Sequence, residues 1–223
     1  MIAIAIDGPA GAGKSTIARL TAKKLGYLYV DTGALYRTVG YAAKLRGIDP
    51  GDAQQVAAML PEIAVDLSFD KDGVQQTLLN GQDVSGQIRS PEMSRYASQV
   101  SAHKAVREYL LWLQRKLAQE HNVIMDGRDI GTTVLPHADL KIYLTATTED
   151  RARRRFDEYL SKGVSVDYDK LLNDIKQRDY DDSHREISPL RRAEDAKLVD
   201  TSGNTLEESL ELMEAMIRRH LGI

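Results

Sequence analysis

The chain has 223 residues, 42% of them hydrophobic and 28% charged, which fits one large α/β domain with a solid core or a core domain carrying an insertion. Its net charge of −3 excludes a general attraction to nucleic acid or to anionic membranes. The absence of cysteine excludes a disulfide framework, a thiolate metal site and a cysteine nucleophile, and no apolar run approaches the roughly 20 residues that span a bilayer.

Residues 2–6 form a short apolar run suited to a buried parallel strand, not a signal sequence. The strand leads into Gly8-Pro9-Ala10-Gly11-Ala12-Gly13-Lys14-Ser15, which matches G-x-x-x-x-G-K-[ST], with Thr16 next in line. Residues 15–25 then read as a helix stopped by Gly26. In that setting the glycines let the backbone curl so that N–H groups point inward, and the helix N-terminus adds its positive dipole end. Lys14 can then reach the β- and γ-phosphates of a nucleoside triphosphate, and the Ser15 hydroxyl can bind Mg²⁺.

Residues 27–30 read as a second strand ending in Asp31-Thr32-Gly33, and residues 34–46 as a helix stopped by Gly47. Arg37 lies about one turn into that helix, within reach of an anion held at the strand end; a solvated surface arginine is the plain alternative. A short helix over 52–60 closes at Pro61. Residues 64–69 and 74–79 are strand-like, and Asn80-Gly81 signals a tight hairpin into residues 82–84. A local hairpin within a helix–strand alternation suggests an inserted subdomain over about 62–90.

Ser90-Pro91 starts a long helix through His121, with a possible break near Ala102-His103. The strand at 122–125 leads into Asp126-Gly127-Arg128-Asp129. An aspartate at such a strand tip can hold a Mg²⁺-bound water, an arginine offers a fork suited to phosphate, and Asp129 can accept from an amino group. After a strand at 140–144, a capping box at 147–150 opens an arginine-rich helix to Lys162. Arg151, Arg154 and Arg155 share one side of it, where like charges repel unless an anion sits among them; an ordinary solvated face is the alternative. A polar helix over 167–185 places Arg178, Asp182 and Arg185 on one face, for which intrahelical salt bridging is the simpler explanation. A short strand at 198–199 and an amphipathic helix over 205–220 with its own capping box complete a parallel sheet covered on both sides.

In this order the motifs resemble those of the bacterial-type cytidylate kinases, within the nucleoside monophosphate kinases. The likeness rests on Asp7-Gly8-Pro9 with Gly13-Lys14-Ser15-Thr16, Asp31-Thr32-Gly33-Ala34-Leu35-Tyr36-Arg37, Asp83-Val84-Ser85 with Ile88-Arg89, and Ala97-Ser98-Gln99-Val100. It continues through Val106-Arg107-Glu108, Asp126 to Thr132, and Arg178-Asp179 with Asp182, Arg185 and Pro189-Leu190. It covers nearly the full length, with Ser15 where many relatives carry glycine. The resemblance implies one kinase domain over 1–223, a monophosphate-binding insert over about 62–90 and a mobile arginine-rich lid over about 149–190. It implies that Arg37 and Arg128 hold the acceptor's phosphate with Thr32 and Asp126 nearby, and that Ser98, Arg107 and Asp129 read the cytosine edge. Arg178 and Asp182 would hold the sugar, with Arg178 and Arg185 also approaching the phosphates. Which of Arg151, Arg154 and Arg155 reaches the donor stays open. The expected reaction is Mg²⁺-dependent transfer from ATP to CMP or dCMP, by a cytoplasmic monomer with no nucleic-acid or membrane partner.

Cytosine presents an exocyclic amino donor for which a carboxylate is the natural acceptor, whereas uracil presents a carbonyl that Asp129 would repel. A P-loop kinase for another acceptor would share the loop and lid without needing Ser98, Arg107 and Asp129 together. A GTPase switch would need an N/T-K-x-D segment that the chain lacks.

Overall fold

The first strand, β1 (Ala3–Asp7), is apolar on both faces because it lies at the centre of a sheet. The structure, a computed structural model, describes residues 1–71, 73–161 and 163–222. The first helix is α1 (Lys14–Leu25), closed by Gly26 in the left-handed conformation. β2 (Leu28–Asp31) runs into α2 (Thr32–Leu45), which starts two residues earlier than its sequence pattern suggests because the Asp31 carboxylate caps the Ala34 N–H. The short helix α3 (Ala53–Met59) follows, then a single 3₁₀ turn containing Pro61.

β3 (Val65–Phe69), β4 (Gln75–Leu79) and β5 (Gln82–Asp83) form a separate antiparallel sheet. Asn80 and Gly81, with φ of 52° and 79°, make the tight turn between the last two strands. The long helix expected from Ser90 breaks at Ser101–His103 into α4 (Pro91–Val100) and α5 (Lys104–Glu120), and the Ser90 hydroxyl caps the first of them.

The remaining strands and α-helices are β6 (Val123–Gly127), β7 (Leu140–Thr145), α6 (Thr148–Ser161), α7 (Tyr168–His184), β8 (Lys197–Asp200) and α8 (Leu206–Leu221), with a π-helical turn at Ile130–Val134 between β6 and β7. The expected α6 end at Lys162 lies outside the described residues. The second capping box is complete: Thr205 and Glu208 satisfy one another's N–H groups.

The main sheet is wholly parallel, in the order β2-β6-β1-β7-β8. Ile4 and Ile6 pack on one face with Ile17 of α1 and Met213 and Ile217 of α8. Ala5, Val30 and Met125 pack on the other with Leu35 and Val39 of α2 and Leu110 of α5. Asp7 pairs with Gly127 and Asp31 with Asp126, so the carboxyl ends of β1, β2 and β6 lie side by side. From β1 the chain passes first to β2 on one side and later to β7 and β8 on the other, and open α/β sheets take their ligands outside the carboxyl ends of the strands at such a point.

Candidate active site

The loop between β1 and α1 can take its path only with glycine at its start. A Cβ on Gly8, whose φ is 147°, would stand 1.9 Å from the Leu144 carbonyl oxygen. Gly13 adopts the left-handed conformation at the head of α1, and no side chain caps that helix, leaving its first N–H groups for an anion. Lys14 is buried and donates to the Pro9 carbonyl at 2.7 Å, curled back over its own loop. Burial, then repulsion from Arg128, pushes its ammonium down to about 7. A charge suppressed in this way is restored by a polyphosphate anion.

Beside it lies the tip of β6. The Asp126 carboxylate accepts the Ser15 hydroxyl at 2.8 Å and the Tyr29 hydroxyl at 2.9 Å. Burial, then the nearby Asp31, raises its pKa to about 6. Hydroxyl and carboxylate together form a hard-oxygen pair suited to Mg²⁺ and its waters. The Thr32 hydroxyl donates to the Asp126 carbonyl at 2.8 Å, joining the ends of β2 and β6. Gly127 is confined, since a Cβ there would come within 2.8 Å of that hydroxyl.

Arg128 and Asp129 point to opposite uses. Arg128 donates to Asp182 of α7 at 2.9 Å. Asp129, buried, is ion-paired with Arg107 of α5 and lies 3.6 Å from Arg185. Arg107 is further held by the Ser101 carbonyl at 2.9 Å and lies over the Tyr36 ring at 5.5 Å. Tyr36, Arg107 and Asp129 line a cavity of about 150 Å³ together with Gln114 and Ser188. Ser98 of α4, half-buried, accepts the Ser101 hydroxyl on its carbonyl; its own hydroxyl makes no hydrogen bond to Arg107 or Asp129 among the described residues.

The arginines crowd one another. Burial, then Arg128, pushes Arg178 down to about 10, with Arg37 and Arg155 acting in the same sense. Arg185 is lowered by burial and by Arg107. The Arg37 Nε, Arg178 Nε and Arg185 Nη2 groups are buried without a hydrogen-bond partner among the described residues. Two of them face carboxylates without a hydrogen bond, Arg178 Nε at 4.0 Å from Asp182 and Arg185 Nη2 at 3.6 Å from Asp129, so each keeps a donor that an anion could take. Arg37 spends one end on Asp31 at 2.7 Å. Asp31 is in turn gripped by Gln75 of β4, which accepts its N–H at 2.8 Å, so the antiparallel sheet meets the main sheet at Arg37's anchor.

Three arginines that share a helical face in sequence divide three ways in space. Every N–H of Arg151 has a partner: Ala146, Ala10, Thr148 and both oxygens of Asp179. Arg154 holds Thr201 and approaches the loop at Gly13. Arg155 pairs with Glu158 at 2.8 Å and lies over Tyr159. Sequence reasoning also passed over Asp7, whose buried carboxylate accepts the Ile130 and Gly131 N–H groups, each at 2.7 Å, and so fixes the turn after Asp129. Burial raises Asp7 to about 6 despite those bonds. Its signals were its place at the tip of the first strand and in the Asp7-Gly8-Pro9 motif, neither of which pointed to Ile130 and Gly131.

A phosphate loop at the carboxyl edge of a parallel sheet, with lysine and hydroxyl heading a helix and an aspartate on the neighbouring strand tip, defines a P-loop protein of the α/β class. A solved structure of an uncharacterized protein from Eubacterium ventriosum shares the fold, with a TM-score of 0.54 at 12% identity over 97% of this chain and 98% of its own. The family model described as cytidylate kinase matches residues 4–219. Curated proteins named cytidylate kinase are 52% identical in Caldicellulosiruptor bescii, over 94% of this chain and 92% of theirs, and 46% identical in Bacillus subtilis, over 93% and 92%. The chain belongs to the cytidylate kinase family.

Proposed function

We propose that the protein transfers the γ-phosphoryl group of ATP to CMP or dCMP, giving ADP and CDP or dCDP. The observation that carries this reading is the group of crowded, partly unsatisfied arginines beside the Asp129 carboxylate: an anion site next to an acceptor for an amino group. The loop from Gly8 to Thr16 cradles the donor phosphates, and Lys14 leaves the Pro9 carbonyl to meet them. Mg²⁺ brought with ATP would be held by the Ser15 hydroxyl and, through water, by Asp126, and would neutralise phosphate charge. Arg37 and Arg128 hold the acceptor's phosphate. Ser98, Arg107 and Asp129 read the cytosine, each Asp129 oxygen keeping a lone pair beyond those its arginines use. Arg178 and Asp182 take the sugar, and Arg178 and Arg185 the phosphates.

The attacking phosphate oxygen is already ionised, so no strong base is required; positioning and charge neutralisation lower the barrier. Residues 149–190 act as a lid that closes to exclude water, and residues 62–90 as the monophosphate-binding insert, supported by the Gln75 grip on Asp31. Arg154 and Arg155 are left to the donor; Arg151, saturated by protein partners, holds the loop from behind. The protein acts as a cytoplasmic monomer, and its net charge of −3 supports the absence of nucleic-acid partners. Calorimetric titration tests the anion site directly. CMP is expected to bind at least ~100-fold more tightly than cytidine, because charge-assisted bonds from unsatisfied arginines form only with the phosphate. Equal affinities would contradict the assignment.

A further inference from the structure

We propose that Asp179 is a positioning residue that couples the donor loop to the acceptor pocket; the inference rests on the kinase reading above. Arg151 is 4% exposed, and its Nη1 donates to the Ala10 carbonyl, in the middle of the phosphate loop, at 2.9 Å. Its Cβ also lies 3.3 Å from where a Cβ on Gly11 would be, so it backs the loop closely. The same guanidinium fork takes both oxygens of Asp179, at 3.0 and 2.5 Å. Bidentate pairing of this kind fixes orientation as well as distance.

Asp179 sits on α7 one residue after Arg178 and three before Asp182. On that helix the i, i+3 spacing places Asp179 and Asp182 on neighbouring positions of one face. Asp179 grips the donor side through Arg151 and Ala10, while Asp182 grips Arg128 on the acceptor side at 2.9 Å. Arg178 adjoins Asp179 in the chain, and its buried Nε, without a hydrogen bond, lies 4.0 Å from the Asp182 carboxylate. A rigid helix holding one carboxylate on each substrate's site cannot shift at one end without shifting at the other. Binding of ATP, by setting the loop around Ala10, therefore sets Arg178 and Asp182 for CMP, and the effect must be reciprocal.

The test is the ratio of CMP dissociation constants without and with β,γ-imido-ATP and Mg²⁺, measured calorimetrically for the parent protein, Asp179→Asn and Asp179→Glu. The parent is expected to show tightening of about 5-fold or more, the lower end of ordinary coupling. In Asp179→Asn the ratio should fall to within about twofold of unity, with CMP affinity alone nearly unchanged; Asp179→Glu, which keeps the carboxylate, should recover part of it. A thermal melt of each variant confirms folding. Coupling unchanged in Asp179→Asn, or absent in the parent, would overturn the proposal and leave the pair a structural staple. Failure of the parent to bind CMP at all would instead overturn the kinase reading, and this inference with it.

Discussion

Lys14→Met is expected to lower turnover on the order of 10³-fold, the scale of losing a charged group aimed at transferring phosphate. The same substitution should leave the empty protein at least as stable. In the absence of phosphate the ammonium is a liability, because burial and Arg128 push its pKa down to about 7 from an ordinary 10.5. Methionine keeps the length and apolar stem without the charge. The sign of the pH effect follows from proton binding. Between about 7 and 10.5 the unfolded chain holds a proton on Lys14 that the folded chain has released, so the parent gains stability as pH rises through that window. The variant lacks this contribution. Steady-state kinetics with CMP and denaturant unfolding at pH 7 and 9 check both halves; turnover within tenfold of the parent would remove Lys14 from the chemistry.

The second large effect is expected at Asp129. Its carboxylate neutralises Arg107 and stands 3.6 Å from Arg185, both in a buried setting. Asp129→Ala leaves those guanidiniums without their counter-charge, a loss of about 3 kcal/mol or more in stability. Asp129→Asn keeps the volume but turns one acceptor into a donor facing donors, so it too destabilises. Its more telling result is in specificity. A site built to hydrogen-bond one group rejects an analogue lacking it by up to ~10⁴-fold, and the asparagine variant should lose most of that margin. The kcat/KM for CMP should fall steeply while that for UMP holds or rises. A parental CMP-to-UMP ratio in a folded Asp129→Asn protein would show that the base is read elsewhere.

The centre of the main sheet was legible because β1, β6 and most of β7 are buried on both faces and so appear as short apolar runs between helices of clear periodicity. Ile4, Ile6, Ile124 and Ile142 are examples, all in the core. The Asn80-Gly81 turn was legible from local conformational preference alone. The single π-helical turn at Ile130–Val134 was not, because it is imposed by Asp7, 123 and 124 positions earlier in the chain. Site residues at strand tips announced themselves by address, as Asp126 and Arg128 did. Their partners did not: the Tyr29 hydroxyl on Asp126 and the Gln75 grip on Asp31 depend on which strands and sheets become neighbours. The arginines of α6 show the same limit. A helical wheel places Arg151, Arg154 and Arg155 together, yet Asp179, Thr201 and Glu158 draw them to different tasks.

ADP formation from ATP and Mg²⁺ with CMP, dCMP, UMP, AMP, GMP or no acceptor reads the proposed phosphoryl transfer directly. Fast turnover is expected with CMP and dCMP, weak turnover with UMP, and background rates otherwise, since only cytosine offers Asp129 an amino donor in the right place and only a bound acceptor displaces water from the closed site. Equal rates with UMP, or ADP released as fast without an acceptor, would contradict it.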